Sequence, residues 1–374
     1  MKRVIIIQEQ IPHYRIAFFE LLKANLAVDG IALEVICSRR GSNQLIAGEL
    51  HWATAVKIRR YGRVAWHGGI VIQALRADLV IAGHELKYLA SIVLQYATRL
   101  GGPRFAYWGH GRNFQARNRN SWVESIKRIQ ARHVDWWFAY NELSARGVNG
   151  LGFPAARITS VGNAIDTTRL VESRKAITAA DLAAVRNELA LNSENVAIYT
   201  GGLYPLKRIE FLIKAAILIR KEIPDFELIV IGDGPERHLV QKAATMHAWI
   251  HDVGPKNDTE KVPYWAISKV LLMPGGVGLV ILDSFALGVP MVTTDTKLHG
   301  PEIDYLIEGD NGVLVRCGES VEIYAMAVID LMRDEQKRQR IANQAMAASA
   351  DHTIERMVCN FAAGVRQALE APKL

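Results

Sequence analysis

Residues 195–220 read NVAIYTGGLYPLKRIEFLIKAAILIR. The apolar run that ends at Thr200 predicts a buried strand, and from 207 to 220 the residues Ile209, Leu212, Ile213, Ala216 and Ile219 recur on one face of a helix. Between them lies Gly201-Gly202-Leu203-Tyr204-Pro205-Leu206-Lys207-Arg208. Two glycines let the backbone approach a ligand closely, and two cations stand where the helix begins. A helix N-terminus already favours anions, so Lys207 and Arg208 there point to a diphosphate. Taken alone, the stretch is equally well an ordinary turn with solvated basic residues.

Two later strands end in the same manner. The strand at 226–231 runs into Gly232-Asp233-Gly234-Pro235-Glu236, with proline opening the next helix. The strand at 269–273 runs into Pro274-Gly275-Gly276-Val277-Gly278-Leu279, and the apolar helix that follows carries one acid, Asp283. A lone carboxylate on an apolar helix is costly unless paired or used, and the vicinal hydroxyls of a ribose are fitting partners. A fourth strand is expected at 289–294. Upstream, strands at 4–7, 32–37, 78–82, 104–108 and 136–140 alternate with helical segments at 15–27 and 86–100. Short strands alternating with helices imply parallel sheets covered on both faces, and ligands bind such sheets beyond the strand C-termini. The pattern stops over the polar, strand-free residues 167–193 and then restarts. The expected fold is therefore α/β, with two doubly wound Rossmann-like domains at 1–166 and 194–352. Residues 167–193 are expected to link them, and a last helix at 353–374 to return to the first domain.

The chain has 374 residues, half of them apolar and 22% charged, which excludes fibrous and largely disordered classes. Cys37, Cys317 and Cys359 lie far apart, so neither a disulfide framework nor a cysteine-rich zinc site is expected, and a reducing compartment is. The apolar run Val4 to Ile7 is too short for a signal peptide. The longest apolar stretch, 270–292, is broken by Pro274, four glycines, Asp283 and Pro290. Cytoplasmic residence is the expectation. The net charge of +7 divides unevenly: residues 1–170 carry 23 basic and 11 acidic side chains, so the first half is expected to meet an anionic partner. There is no complete GxGxxG, no GxxxxGK[ST], GxSxG or HExxH, and no Asp-x-Asp pair to cradle a metal-bound nucleotide sugar. Dehydrogenase, P-loop, hydrolase and zinc-protease chemistries are thereby disfavoured, and no metal site is expected.

On these residues the second half resembles the donor-binding domain of the retaining family-four glycosyltransferases, which have the GT-B fold with two domains facing across a cleft. The family pattern is a strand ending in Gly-Arg-Leu and then Lys, a Gly-x-Gly-Pro turn, Pro-x-x-x-Gly-Leu with Glu-x7-Glu, a later Pro-Glu, and Asn-Gly. This chain has Gly201-Gly202-Leu203 with Lys207, Gly232 to Pro235, Pro274 to Asp283, His299-Gly300-Pro301-Glu302 and Asn311-Gly312. Asn163-Ala164-Ile165-Asp166 resembles the Asn-Gly-Val-Asp of the domain junction. Pro12 to Arg15 and Trp108-Gly109-His110-Gly111 agree more loosely. Two positions depart from the pattern. Gly202 stands where the family has an Arg that the resemblance places at the diphosphate, which leaves Lys207 and Arg208 to hold it. Gly275 stands where the family has the first Glu, the one that contacts the donor sugar.

The resemblance implies transfer of a sugar, a hexose or a relative, from a UDP- or GDP-type donor with retention at the anomeric carbon. It implies no further cofactor. Cations at the leaving diphosphate stabilise its growing charge, so with no Asp-x-Asp site Lys207 is expected to act in a metal-independent reaction. The resemblance places His110 at the donor sugar and the base against the backbone around Val253 and Gly254. His13, Tyr14, Arg15 and Arg112 are expected at a glycan or lipid-linked acceptor, in surface polysaccharide or lipopolysaccharide synthesis. Ser121 to Glu124 reads as a capping box opening a helix, with Trp122, Ile126 and Ile129 at helical spacing. Beside them lie Arg117, Arg119, Lys127, Arg128, Arg132 and the pair Trp136-Trp137. This region either rests on the inner face of an anionic membrane or, as the preferred reading, packs on the sheet with its charges solvated. Nucleic-acid binding is not expected. A catalytically silent scaffold and a nucleotide-sugar epimerase are the alternatives.

Overall fold

Strands covered on both faces must be apolar on both, and the central strands of this chain are. The structure is a computed structural model that describes all 374 residues except 39–49, 51, 58, 63, 67, 85–87 and 112–128. It divides into two units, Met1–Asp166 with Ile354–Leu374, and Thr167–Thr353.

In the first unit β1 (Lys2–Ile7), β2 (Ile31–Ser38), β3 (Ala53–Val56), β6 (Leu79–Gly83), β7 (Arg104–Gly109), β8 (Trp136–Ala139) and β9 (Ile158–Ser160) form one parallel sheet in the order β3-β2-β1-β6-β7-β8-β9. The short strands β4 (Arg59–Tyr61) and β5 (Val64–Trp66) pair separately as an antiparallel ribbon. Helices α1 (Ile16–Val28), α2 (Gly68–Ala74), α3 (Leu89–Ala97) and α4 (Glu142–Asn149) belong to this unit. Helix α1 buries Phe18, Phe19, Leu22 and Leu26. The last helix of the chain packs beside it: the Phe361 ring lies 4.4 Å from Phe138, stacked, and 5.4 Å from Phe18. Gly364 of that helix faces β9 so closely that a Cβ would strike the Thr159 hydroxyl.

In the second unit β10 (Val196–Thr200), β11 (Glu227–Ile231), β12 (Ile250–Gly254), β13 (Val270–Met273), β14 (Met291–Thr294) and β15 (Val313–Val315) form a parallel sheet in the order β12-β11-β10-β13-β14-β15. Two helices precede it, α5 (Thr168–Ala176) and α6 (Ala179–Glu188), the second opened by a Thr178–Asp181 capping box. The others are α7 (Ile209–Glu222), α8 (Arg237–Met246), α9 (Val262–Ala266), α10 (Val280–Leu287), α11 (Val321–Arg333) and α12 (Glu335–Ser349), and the last helix of the chain is α13 (Ile354–Glu370). Residues 167–193, read from sequence as a link, are part of the second unit: α5 and α6 pack on α9, and α5 also on α10. Polar outer faces made them look like a spacer, while Leu170 and Val185 are buried.

Candidate functional site

The second sheet changes winding direction between β10 and β13, and a doubly wound sheet binds its ligand beyond the strand ends at such a point. The two glycine-containing loops that leave these strands meet there. The Gly276 N–H donates to the Leu206 carbonyl at 2.8 Å, and the Lys207 ammonium donates to the Gly276 carbonyl. A Cβ at Gly275 would run into the Lys207 carbonyl, and one at Gly276 would lie 2.6 Å from the Leu298 oxygen. The loop after β11 joins from the other side: Gly201 N–H bonds the Ile231 carbonyl at 3.0 Å and Leu203 N–H the Asp233 carbonyl at 2.8 Å. A Cβ at Gly232 would meet the Gly201 oxygen, and one at Gly234 the Leu203 oxygen. The three loops are thus interlocked backbone to backbone. The family's Glu cannot stand at 275 in this arrangement, because Lys207's own carbonyl fills the space.

Lys207 is 8% exposed, and burial pushes its ammonium down to about 8, with the charge of Glu302 opposing the shift. A cation so weakly solvated is suited to an anionic ligand. Glu302 is itself buried, in the 3₁₀ turn Pro301–Tyr305. His299 fixes the Gly275–Gly278 loop from behind. Its Nδ1 accepts from the Val277 N–H at 3.0 Å, so Nε2 carries the proton and donates to the Thr294 carbonyl at 2.8 Å. Burial is the main reason its pKa lies below the usual value. Sequence reasoning noted His299 and Glu302 only as motif letters; the bond from the Val277 N–H makes His299 a support of this loop, and the charge of Glu302 acts on Lys207.

Arg208 is placed differently from Lys207. It holds a left-handed backbone (φ 57°, ψ 49°) that turns the chain into α7. Its guanidinium donates to the Pro274 carbonyl at 3.4 Å, the Thr294 hydroxyl at 3.3 Å and the Glu319 carboxylate at 2.6 Å, and stacks on Phe211. It ties the ends of β13 and β14 together. Asp283, 5% exposed on α10, accepts from Lys261 Nζ at 2.6 Å. Lys261 escaped the sequence reading because it follows β12, a strand whose His251-Asp252 carries no apolar signal. At the end of β12 Gly254 adopts φ 75°, its carbonyl accepts from Gly232 N–H at 3.0 Å, and Arg237 bonds Asp252 at 3.1 Å beside it. Val253 is half-buried, Val277 is buried, and Gly278 has open space where a Cβ would be.

The first unit has its own change of direction between β1 and β6, and His13 and Tyr14 follow β1 as exposed side chains. Arg15, expected at the acceptor, is 7% exposed and serves the interior instead. Its guanidinium donates to the Asn163 side-chain oxygen and, at 3.3 Å, to the Ala164 carbonyl, and lies 5.4 Å from the Trp108 ring. Those bonds compensate a charge that burial alone would expel. His110 follows β7, edge-on to Tyr140 at 4.3 Å, and burial pushes it down to about 4, so its imidazole is neutral near pH 7. Trp136 and Trp137, within the strand expected at 136–140, are buried in β8, with their indole N–H groups donating to the Thr159 hydroxyl and the Ala131 carbonyl at 2.8 and 2.9 Å. Arg112, Arg117, Arg119, the capping box, Trp122, Ile126, Lys127 and Arg128 lie outside the described residues. Among the described residues no three His, Cys, Asp or Glu groups are placed to hold a metal ion, and no helix is long and apolar enough to cross a membrane.

The family model for glycosyl transferases group 1 matches residues 194–334, the span that carries all three loops. Over that span the chain is similar to the group 1 glycosyl transferases. The chain is 27% identical over 197 residues to the GDP-mannose-dependent alpha-(1-6)-phosphatidylinositol monomannoside mannosyltransferase of Mycolicibacterium smegmatis, covering 49% of each. It is 32% identical over 128 residues to the lipopolysaccharide core biosynthesis glycosyltransferase LpsE of Rhizobium meliloti, covering 33% of this chain and 36% of that one. These matches span half or less of the relatives' length. Anabaena Alr3699/HepE, solved in complex with UDP, matches over 98% of this chain and 100% of its own with a TM-score of 0.76 at 18% identity. That likeness concerns the fold, GT-B, two Rossmann-like domains of which the second holds residues 194–334.

Proposed function

We propose that the protein is a retaining glycosyltransferase that moves a sugar, a hexose or a relative, from a nucleoside diphosphate donor to a glycan or lipid-linked acceptor of surface polysaccharide synthesis. The observation that carries this reading is the junction of the β10 and β13 loops, with the buried Lys207 ammonium at a point where a doubly wound sheet takes its ligand. A leaving diphosphate accumulates charge, and a preorganised, poorly solvated cation stabilises it without reorganisation. The names of the mannosyltransferase and of LpsE support a glycan or glycolipid product. Retention, the metal-independent course and the part of His110 rest on the family resemblance. The neutral state of His110 suits a residue that orients sugar hydroxyls rather than one that protonates a leaving group.

The test is a thermal-shift panel of UDP, GDP, ADP, dTDP and CMP on the wild type, Lys207→Met and His110→Ala. At a hundred times its dissociation constant a ligand stabilises by about 2.7 kcal/mol, a shift of roughly 2–4 °C. One diphosphate is expected to give that shift in the wild type and His110→Ala and not in Lys207→Met. With the matching sugar donor, hydrolysis or transfer should persist in EDTA and collapse in His110→Ala. A panel with no shift in the wild type would remove the enzyme reading and favour a silent scaffold.

A further inference from the structure

Gly202 occupies the position where the resembled family carries arginine, and the structure shows what takes up that space. A Cβ on Gly202 would lie 2.5 Å from Cε1 of Tyr204 and 2.9 Å from its Cδ1. The Tyr204 ring is therefore folded back over the glycine, and any side chain at 202 must displace it. The ring centroid is 5.7 Å from Lys207 Nζ, so the phenol and the buried cation belong to one surface. The turn beneath is held: the Tyr199 hydroxyl donates to the Gly202 carbonyl at 2.8 Å. Tyr204 itself is 38% exposed, and among the described residues its hydroxyl has no hydrogen-bond partner. A phenol is a neutral donor at any physiological pH, and burial moves Tyr204 further from ionisation.

We infer that Tyr204 replaces the missing arginine as the second donor to the ligand's diphosphate, its hydroxyl bonding a phosphate oxygen beside Lys207. This rests on the donor-site reading above and names a binding residue for it. The exchange trades an ionic donor for a neutral one and makes Gly202 obligatory, because arginine and the folded-back ring cannot share the site. Positions 202 and 204 should then behave as one unit.

The experiment measures binding of the diphosphate found in the panel by calorimetry, and of the matching nucleoside by ligand-detected NMR. The proteins are the wild type, Tyr204→Phe, Gly202→Arg, Tyr204→Gly and the double variant Gly202→Arg/Tyr204→Gly. Tyr204→Phe keeps the ring and is expected to lower diphosphate affinity about tenfold or more, the scale of one hydrogen bond to a charged group, with nucleoside affinity and melting temperature unchanged. Gly202→Arg alone should weaken binding, and the double variant should return to within about threefold of the wild type. An unaffected Tyr204→Phe, an equal loss for diphosphate and nucleoside, or additive effects at 202 and 204 would each overturn the inference. If the wild type binds no diphosphate, the donor-site reading falls and Tyr204 with it; if the wild type binds and Tyr204→Phe binds equally, Tyr204 alone is removed.

Discussion

Lys207 is the residue on which the chemistry turns, and its protonation gives a signed prediction. Its ordinary pKa of about 10.5 is brought down to about 8 by burial. Between those values the folded chain holds fewer protons than the unfolded one, so this group's contribution to stability rises with pH in that window. Ligand affinity moves the other way, because a diphosphate favours the charged ammonium. Diphosphate binding should weaken as pH rises from 7 to 9, and calorimetry near pH 8 in buffers of different ionisation enthalpy should show proton uptake. Lys207→Met should show neither effect; a flat affinity across that range in the wild type would mean that the ammonium does not face the anion. The lysine was visible in the sequence as a cation after two glycines. Its burial was not, because the carbonyl that receives it, Gly276, is far away in the chain and arrives only through sheet pairing. For the same reason the sequence could not separate Lys207 from Arg208, or show that Arg15 is turned inward on Asn163.

At the scale of elements, the central strands were legible and the edges were not. The strands at the middle of both sheets are buried runs of apolar residues and were readable from composition. The four edge strands, β3, β9, β12 and β15, escaped, being three to five residues long and partly exposed. An edge strand covers little apolar surface and so carries little pattern. The loop that follows β12 suffered most, and with it Lys261 and the partner of Asp283. The interlocked glycine loops yield a further prediction. Restoring the family's acid in Gly275→Glu drives a Cβ into backbone that has no room to rotate away. It is expected to lower the melting temperature and abolish diphosphate binding rather than improve it. Retained binding with unchanged stability would show that these loops can separate.

For the whole molecule, two units with separate cores predict two calorimetric transitions. The diphosphate is expected to raise only the transition of the unit that contains Lys207. Phe361→Ala, which empties a stacked position against Phe138 in the other unit, should lower the other transition by an amount equivalent to about 3–5 kcal/mol. If both perturbations moved a single transition together, the units would not unfold independently.

The class of fold, the restart of the strand–helix pattern and the three glycine loops could all be read along the chain. Each of those is a local property: periodicity, glycine content, and charge at a helix start. Tertiary structure decided which charges serve the interior and which serve a ligand. It put Lys207 on Gly276, Asp283 on Lys261, Arg15 on Asn163 and the Tyr204 ring over Gly202. Three of these pairings join segments far apart in the chain, and the fourth depends on how a side chain folds back over a turn. Burial and proximity of that kind arise only when strands pair and loops pack, so no reading of neighbours along the chain could supply them.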